Sequence, residues 1–593
     1  MPGNDEMSHH QAEIRMSRAL RLFCQFLLCL PLAKPQIPGR SVSEPSGQRP
    51  AAPAVKFVDV TQALGIHFKH ESSPTTQKYL LETMGSGLAL FDCDNDGRLD
   101  IFFVNGARVD DPMPKSAVPH KDDPRYFNRL YHQKADGTFE DITEKSGLAG
   151  LEYGMGVATG DYDNDGNEDL YVTGYPRNRL YHNNGNCTFA DVTETAGVTG
   201  AGWSTSAAFV DLDNDGLLDL VVARYLEWSF DRNIYCGEHR PGYRAYCHPD
   251  VFGGVSLLVY KNEGGGRFTE VSKMAGMDAA GAKALGIAVA DFDRDGQIDL
   301  AVANDSVRQS LYRNKGNGTF EDAALLAGTA VDDNGQTYAG MGVDFADYDN
   351  DGWPDIVMTN LSGQKYAIYH NSGDGTFTYE SLTSGLGAIS QTYSGWGVKF
   401  MDYDNDGWKD LFIAQSHVLD TIQLTFPHLR YLEPPLLLRS TGKRFVDVSR
   451  QSGAVFQRQW AARGLAVGDI DNDGDLDVVI TTNNGPAYVL RNDGGNAKNW
   501  LLIRLVGQKS NRDGIGAVIR LVAASGKEQY ATVSTAGSYL SASDRRVHFG
   551  LDSELSAKYL EIRWPTGVVQ RLENVAANQI LTITEPKTAA SKP

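Results

Sequence analysis

The sequence predicts an all-β protein: a seven-bladed β-propeller with calcium loops, followed by a small C-terminal β-sandwich-like domain. Three observations support this. An acidic nine-residue loop occurs seven times, each copy lies among four strand-like segments, and the first such segment, residues 57–60, has no unit of its own. Seven units of four short strands fit a propeller. The extra N-terminal strand is predicted to complete the last blade and close the ring, which removes exposed sheet edges.

The acidic loop first occurs as DCDNDGRLD at residues 92–100, and every copy has Asp at positions 1, 3, 5 and 9 and Gly at position 6. A glycine that is free to adopt positive φ lets the alternating carboxylates surround one point. Such crowding needs a hard cation, and all-oxygen ligation of flexible geometry suits Ca²⁺. An EF-hand would need Glu at position 12, where the first two copies have Phe103 and Val172. A solvated acidic turn is the alternative for one copy, but seven matching copies favour calcium sites.

We predict about seven Ca²⁺ ions, each held by the side chains at positions 1, 3, 5 and 9 and by the backbone carbonyl at position 7. Seven such ions, with fourteen positive charges, would bring the formal net charge of the chain from −20 to −6. The acidic balance, without basic patches, argues against nucleic-acid binding. The predicted ligands are Asp92, Asp94, Asp96, Arg98, Asp100; Asp161, Asp163, Asp165, Asn167, Asp169; Asp211, Asp213, Asp215, Leu217, Asp219; Asp291, Asp293, Asp295, Gln297, Asp299; Asp347, Asp349, Asp351, Trp353, Asp355; Asp402, Asp404, Asp406, Trp408, Asp410; and Asp469, Asp471, Asp473, Asp475, Asp477.

The N-terminal region, residues 1–33, has the pattern of a tail that ends in a signal peptide. Arg18 and Arg21 precede an apolar run at residues 22–32, and Ala33 follows at a plausible cleavage point. The run is too short to cross a bilayer, so no transmembrane span is expected in the mature chain. A disordered tail with a chance apolar stretch is the alternative. We therefore expect a secreted protein, extracellular or periplasmic, with a Pro/Ser-rich linker at residues 34–55.

Three further elements recur around the loops between residues 56 and 495, the predicted propeller. A glycine stands five residues before the first Asp of six loops, and Ser206 replaces it in the third. A Leu-Tyr-x-Asn-like strand and a Phe-x-Asp/Glu-Val strand complete each unit. His132, His182 and His370 all follow the repeated Tyr and are therefore interpreted as structural blade positions.

These motifs resemble the FG-GAP/VCBS repeats of integrin α-type propellers. The segment LETMGSGLALFD at residues 81–92 and the order of elements resemble the cartilage acidic protein family. Residues 496–585 resemble an ASPIC/UnbV domain, with the turn RDGIG at 512–516 and the corner WPTG at 564–567, and residues 586–593 form a tail. The resemblance implies a calcium-stabilised extracellular propeller used in adhesion or recognition. We expect the C-terminal domain to pack beside the propeller.

Unequal spacing of the loops reveals three insertions, at residues 107–127, 226–255 and 416–435, each between the second and third strands of a unit. Successive strands are antiparallel, so the insertions are predicted on the face opposite the calcium loops. In the middle insertion Cys236 and Cys247 are predicted to form a disulfide, whereas the sequence does not pair Cys93 and Cys187. Tyr and Arg are frequent in binding hot spots. The predicted ligand-binding residues are His239, Arg240, Tyr243, Arg244, Tyr246 and His417.

The favoured function is recognition or adhesion, in which these insertions bind a glycan or an extracellular protein. The alternative is a secreted enzyme, either a polysaccharide lyase or a metal-dependent oxidoreductase. A transition-metal or acid–base site would then use His120, His248, His417 or His428 together with Glu82. No serine-nucleophile, phosphate-loop or zinc motif appears in the sequence, so no catalytic residue is predicted.

Overall fold

The computed structural model describes residues 55–587 of the 593-residue chain. The predicted signal peptide, nearly all of the predicted linker and residues 588–593 lie outside this part. Within it, strands dominate and the helices are single turns. None of the helices in residues 55–587 has the length and apolar character needed to cross a bilayer.

The first thirty strands build the repeat region. In chain order they are β1 (Lys56–Asp59), β2 (Leu88–Phe91), β3 (Asp100–Phe103), β4 (Arg129–Gln133), β5 (Phe139–Asp141), β6 (Tyr153–Gly160), β7 (Asp169–Tyr175), β8 (Arg179–Asn183), β9 (Phe189–Asp191), β10 (Ser204–Val210), β11 (Asp219–Arg224), β12 (Cys236–Gly237), β13 (Arg244–Ala245), β14 (Leu258–Asn262) and β15 (Phe268–Glu270). They continue with β16 (Ala284–Ala290), β17 (Asp299–Asn304), β18 (Ser310–Asn314), β19 (Phe320–Asp322), β20 (Val343–Ala346), β21 (Asp355–Met358), β22 (Ala367–Asn371), β23 (Phe377–Tyr379), β24 (Gly395–Met401), β25 (Asp410–Gln415), β26 (Leu436–Ser440), β27 (Phe445–Asp447), β28 (Ala462–Gly468), β29 (Asp477–Thr482) and β30 (Tyr488–Asp493).

Short helices connect some of the strands. The α-helical turns are α1 (Thr143–Ser146), α2 (Thr193–Ala196), α3 (Ala324–Ala327), α4 (Leu386–Ser390) and α5 (Ile422–Thr425). The 3₁₀ turns are Leu80–Thr83, Pro124–Tyr126, Phe230–Arg232, Pro249–Val251, Ser449–Gln451, Ala454–Gln457 and Gly495–Ala497.

Seven four-stranded antiparallel sheets follow one another along the chain, and we refer to them as blades 1–7. Blades 1–6 each use four strands in chain order, namely β2–β5, β6–β9, β10-β11-β14-β15, β16–β19, β20–β23 and β24–β27. Blade 7 is β28-β29-β30 completed by β1, in which Phe57 pairs with Asn492. The first strands contact one another in a closed cycle, and β28 of blade 7 contacts β2 of blade 1. The predicted propeller and its closure by the N-terminal strand are confirmed.

The inner strands are buried on both sides because they line the centre of the ring. All eight residues of β6, YGMGVATG, are buried. Glycine is required at position 156 of this strand, because a Cβ there would lie 2.7 Å from the carbonyl oxygen of Thr205 in the next blade. Apolar side chains fill the space between neighbouring blades, as with Val221, Val259 and Val302 between blades 3 and 4. Burial of this kind, repeated around the ring, is the main source of stability.

The C-terminal domain consists of two sheets that share one hydrophobic core, which includes Leu501, Ile519, Phe549, Leu560 and Trp564. A three-stranded sheet has the order β34-β31-β37, and a four-stranded sheet has the order β33-β32-β35-β36. The strands are β31 (Asn499–Val506), β32 (Val518–Ala523), β33 (Glu528–Thr532), β34 (Val547–Asp552), β35 (Ser556–Arg563), β36 (Val569–Ala576) and β37 (Gln579–Thr584).

This domain lies across the face of the propeller that carries the acidic loops, which we call the loop face. The backbone amide of Arg512 donates to Asn164 Oδ1 over 2.7 Å, and Lys527 Nζ donates to the carbonyl of Asp406 over 3.1 Å. Trp500 packs against Gly474, where there is no room for a Cβ. Our expectation that the domain packs beside the propeller is therefore wrong. The side chains and carbonyls of the loops offer acceptors that Arg and Lys of the domain satisfy.

Between β33 and β34 the chain enters the central channel of the propeller, and we call residues 535–546 the plug. Its backbone pairs with inner strands of several blades: the amides of Leu90 and Val157 donate to Ala542 and Leu540 over 3.1 and 3.0 Å. On the far side of the channel Ser538 exchanges two backbone hydrogen bonds with Val343. The plug therefore closes the channel from the loop face.

Candidate metal centres and recognition face

Each acidic loop is folded by its own carboxylates, as the third copy shows. Asp211 accepts hydrogen bonds from the amides of Asp215 and Gly216 over 3.1 and 3.0 Å, and Gly216 has φ of +90°. Asp219 accepts from the amides of Leu212 and Asn262 over 2.9 and 2.8 Å. The carboxylates at positions 1 and 9 thus tie the loop to itself and to the third strand of the blade. This arrangement brings the predicted ligands together.

The residue at position 4 links neighbouring loops into a ring. In six loops it is Asn, and its side-chain amide donates to the position-6 glycine carbonyl of the next loop over 2.8–3.1 Å. Asn472 of the last loop donates to Gly97 of the first, which closes the ring. The fourth loop departs from the pattern because it carries Arg294. The Asn donors are Asn95, Asn164, Asn214, Asn350, Asn405 and Asn472.

Burial raises the pKa of carboxylates at positions 1 and 9 of the loops and so disfavours their ionised form. One buried oxygen each of Asp94 and Asp213 has no hydrogen-bond partner among the described residues, and a buried polar atom without a partner is costly. Burial, with Asp355 and other carboxylates nearby, raises the pKa of Asp347 to about 8. Burial likewise raises the pKa of Asp299 to about 9. An all-oxygen cluster of this kind fits a hard divalent ion.

Basic side chains from the third strand of six blades reach the same carboxylates, which the sequence analysis missed, whereas Arg491 of blade 7 pairs with Asp493. His132 Nδ1 lies 2.9 Å from Asp100 Oδ1, and Arg439 Nε lies 3.0 Å from Asp404 Oδ2. The available signal was the variable residue of the Leu-Tyr-x-Asn strand, which is basic in all seven units. These residues are His132, His182, Lys261, Arg313, His370, Arg439 and Arg491.

A disulfide that the sequence did not predict fastens the first loop to the second blade. Cys93, at position 2 of the first loop, is bonded to Cys187, with 5.0 Å between their Cα atoms. Position 2 carries a bulky apolar residue in the other loops, such as Tyr162 or Phe292. The disulfide thus replaces an apolar contact between blades by a covalent one.

Comparison with known families matches this architecture. The FG-GAP-like repeat model matches residues 92–172, 161–222, 247–302, 291–358 and 347–413, just over half of the chain. The chain belongs to the FG-GAP-like repeat family. A second family model, ASPIC and UnbV, matches residues 507–590. This FG-GAP protein therefore carries that domain on the C-terminal side of its propeller in the sequence.

Curated relatives of this FG-GAP protein include cartilage acidic protein 1 of Mus musculus and of Homo sapiens. The mouse protein is 26% identical over 308 residues, which cover 51% of this chain and 45% of the relative. The human protein is 26% identical over 305 residues, with 51% and 43% covered. The chain therefore spans less than half the length of the curated relatives it matches.

Solved structures give weaker similarities. A lectin from Agrocybe aegerita, described as recognising non-reducing terminal N-acetylglucosamine, is 17% identical with a TM-score of 0.36, covering 62% of this chain and 90% of that one. The BP39L lectin from Burkholderia pseudomallei is 11% identical with a TM-score of 0.39, covering 68% and 95%.

The three insertions lie on the other face of the propeller, which we call the insertion face. They pack around residues 70–86: Lys78 pairs with Asp420 of the third insertion, and Asn233 of the second donates to the carbonyl of Gln77 over 3.0 Å. Tyr539, at the far end of the plug, donates to the carbonyl of Met84 over 2.8 Å. Because the plug crosses the channel from the loop face to reach Met84, the insertions lie opposite the loops, as predicted.

The middle insertion projects a small hairpin made of β12 and β13 and closed by the predicted disulfide. Cys236 and Cys247 are bonded, with 5.2 Å between their Cα atoms. The rings of His239 and Tyr235 stack 4.3 Å apart, and the Arg240 guanidinium lies 3.7 Å from the Tyr243 ring centre. Arg244 lies 5.1 Å above Tyr235. The hairpin thus presents ordered pairs of aromatic and basic groups.

Two of the six predicted ligand-binding residues are buried beneath the insertion face. Tyr246 is 6% exposed, and its hydroxyl donates to Glu82, which is fully buried. His417 is also 6% exposed; its Nδ1 accepts from the amide of Leu419 over 3.0 Å, and burial lowers its pKa to about 4. Both residues therefore support the face from below.

The histidines considered for a metal or acid–base site are not brought together with Glu82. His120 pairs with Asp122 over 3.2 Å, and His248 with Asp250 over 3.4 Å, each within its own insertion. His428 contacts the ring of Phe426. Glu82 instead accepts hydrogen bonds from Thr75 and Tyr246, and burial raises its pKa to about 7.

Proposed function

We propose that this FG-GAP protein is a secreted calcium-binding propeller that recognises a glycan or an extracellular protein through its insertion face. The observation that carries the proposal is the exposure of large apolar side chains on all three insertions. Val118 of the first is 51% exposed, Ile234 of the second 47% and Phe426 of the third 49%. Exposed apolar groups that share one face and are rimmed by polar groups are typical of interaction sites.

The hairpin supplies the hydrogen-bonding and stacking groups of the proposed recognition surface. Tyr and Arg contribute large contact areas and strong hydrogen bonds to interfaces. Stacking holds Tyr235, Arg240 and Tyr243 in place before any partner arrives, which lowers the entropic cost of binding. His239 and Arg240 are exposed and available to a partner.

Calcium would act as a structural ion in this proposal. The residues of the loops would hold it through their carboxylates, and it would neutralise the carboxylates that otherwise repel one another. Secretion fits the two disulfides, because such bonds persist in oxidising compartments.

The test replaces residues 237–244, the tip of the hairpin, by a short turn that leaves the buried Tyr246 and the Cys236–Cys247 disulfide in place. It then measures binding to a glycan array and to a panel of purified extracellular matrix proteins. The unmodified protein is expected to bind a defined subset, and the truncated protein is expected to keep its melting temperature within a few degrees and lose that binding. Arg240→Ala should weaken binding by at least about tenfold, since hot-spot residues contribute about 2 kcal/mol or more.

A matched control lies outside the insertion face. Arg571 stacks on Tyr559, 3.5 Å from the ring centre, on the four-stranded sheet of the C-terminal domain. Arg571→Ala removes the same kind of stacked arginine and should leave binding unchanged. Unaltered binding by the truncated protein would place the recognition surface elsewhere.

A further inference from the structure

A cleft of about 380 Å³ lies between the loop face and the C-terminal domain. Its lining includes the exposed Arg294 and Arg563, the buried Lys409 and His548, and Ala536 of the plug. Ligand sites are frequent at the junction of two domains, where neither domain fills the space alone. We call it the inter-domain cleft. It is on the opposite side of the propeller from the insertion face.

Cationic side chains outnumber acidic ones in the lining of this cleft, and several have acidic partners of their own. Lys399 pairs with Asp344, Arg546 with Asp544 and Arg520 with Glu528, each over 2.7 Å. Arg545 pairs with Glu168 over 3.3 Å. Three cations have no carboxylate within 4.0 Å among residues 55–587, namely Arg294, Lys409 and Arg563.

Arg294 stands where the repeat pattern is broken. It occupies position 4 of the fourth loop, the position at which the other six loops carry the Asn that links them. Its guanidinium lies 4.4 Å from the ring centre of Trp353 and 4.8 Å from that of Tyr530, so one ring from each domain holds it in place. A guanidinium fixed between two rings keeps its hydrogen-bonding edge free for an oxyanion such as a carboxylate or a sulfate.

Two buried groups lie deeper in the cleft. The ammonium of Lys409, a residue that is 8% exposed, donates to the carbonyl of His548 over 3.2 Å. His548 is 6% exposed, and its Nε2 faces the carbonyl of Gly474 at 3.2 Å, so this nitrogen carries the proton. Its Nδ1 has no partner among the described residues and remains a hydrogen-bond acceptor. The cleft therefore offers cations for an acid group and an acceptor for a hydroxyl.

We infer that the inter-domain cleft binds a small anion that carries hydroxyl groups, with its carboxylate or sulfate held by the exposed Arg294 and Arg563 and its hydroxyl groups by the buried Lys409 and His548. A sugar acid or a sulfated monosaccharide has this chemistry. The ligand would contact both domains at once, so that its binding would also hold the C-terminal domain on the propeller.

Isothermal titration of the full chain in calcium buffer tests this inference with three probes: sodium glucuronate, sodium sulfate and neutral glucose. Sodium chloride at matched ionic strength gives the background. We expect one saturable site per chain for glucuronate, sulfate or both, and none for glucose. Binding of glucuronate alone would identify a carboxylate ligand, and binding of sulfate a sulfated one.

Arg294→Asn is the decisive variant because it restores the residue that six other loops carry and therefore preserves the fold. It should weaken anion binding by at least about tenfold, the loss expected for one charged hydrogen bond. Arg563→Gln should weaken anion binding by a similar factor. It provides the test if the Arg294→Asn variant folds poorly. Arg177→Gln removes an exposed arginine of blade 2 that lies outside the cleft and should have no effect.

Either of two results would overturn the inference. One is the absence of saturable heat for both anions above the chloride background. The other is anion binding by Arg294→Asn and Arg563→Gln with the affinity of the unmodified protein.

Discussion

The backbone amide of Leu540 in the plug donates a hydrogen bond to the hydroxyl of Ser206 over 3.1 Å. Ser206 is the residue that replaces the repeated glycine in blade 3, and its hydroxyl donates in turn to the carbonyl of Leu285 in blade 4. The departure from the repeat is thus explained by the plug. The propeller is therefore matched to the plug at individual positions such as Ser206. The plug fills the central channel of the propeller.

The glycine at the equivalent position of blade 1 should be intolerant of substitution. A Cβ at Gly87 would lie 1.9 Å from the carbonyl oxygen of Leu540, so Gly87→Ala must displace the plug. We expect a loss of about 1–3 kcal/mol of stability, typical of overpacking, and faster proteolysis within residues 535–546. Thermal melts and limited proteolysis measure both.

Gly253→Ala is the control for this prediction. Gly253 has no positive φ, and a Cβ there would meet its nearest neighbour at 3.5 Å. Equal melting temperatures for the two variants would show that the plug does not occupy the channel as described.

The two disulfides should contribute differently to stability. Cys93 and Cys187 are 94 residues apart in sequence and link two blades. Replacing both by Ser removes this link, and we expect a loss of up to about 4 kcal/mol of stability. The same change at Cys236 and Cys247, 11 residues apart, frees only an exposed hairpin. Calorimetry of both double variants should show a lower main transition for the first and a nearly unchanged one for the second. The reverse order would contradict the assignment of the first disulfide as a brace between blades.

Glu433 gives the protein a pH dependence with a defined sign. Burial raises its pKa from 4.5 to about 8, although the amide of Ser394 and the charge of Arg463 oppose the rise. The folded state holds this proton more tightly than the unfolded chain. The contribution of Glu433 to the free energy of unfolding is therefore complete below pH 4.5 and is lost as the pH rises through 8.

Glu433→Gln, which stays neutral, should accordingly be more stable than the unmodified protein at pH 9. Near pH 4.5 the two should melt together. The gain is at most a few kcal/mol, since one pKa unit corresponds to about 1.4 kcal/mol. Glu194→Gln, at an exposed position, is the control. A gain of equal size at both pH values would contradict the mechanism.

Much of the fold was predictable because the repeat signal is strong. The four fixed Asp of each loop, the glycine-led strand and the unmatched strand at residues 57–60 were enough to predict the sheets and their closure. The face of the insertions followed from strand direction alone. The pairing of Cys93 with Cys187 was not predictable, because it joins two blades and depends on how neighbouring blades are placed.

The plug and the inter-domain cleft were not predictable from the sequence. Residues 535–546 are mostly small or polar apart from Tyr539 and Leu540, and their partners, such as Val157 and Val343, are far away in sequence. Two exceptions to the repeat carried the only signal, Ser206 in place of glycine and Arg294 in place of asparagine. Each stands where the C-terminal domain meets the propeller, a contact that is not apparent within a single repeat.

The calcium content of the purified protein tests the central proposal most directly. Elemental analysis after dialysis against micromolar calcium should give about seven ions per chain, and Asp211→Ala should lower this by one while the insertion face stays intact. Chelation should also lower the melting temperature, because it leaves crowded carboxylates in every loop. A chain that retains no calcium, and melts at the same temperature in excess chelator, would contradict the account.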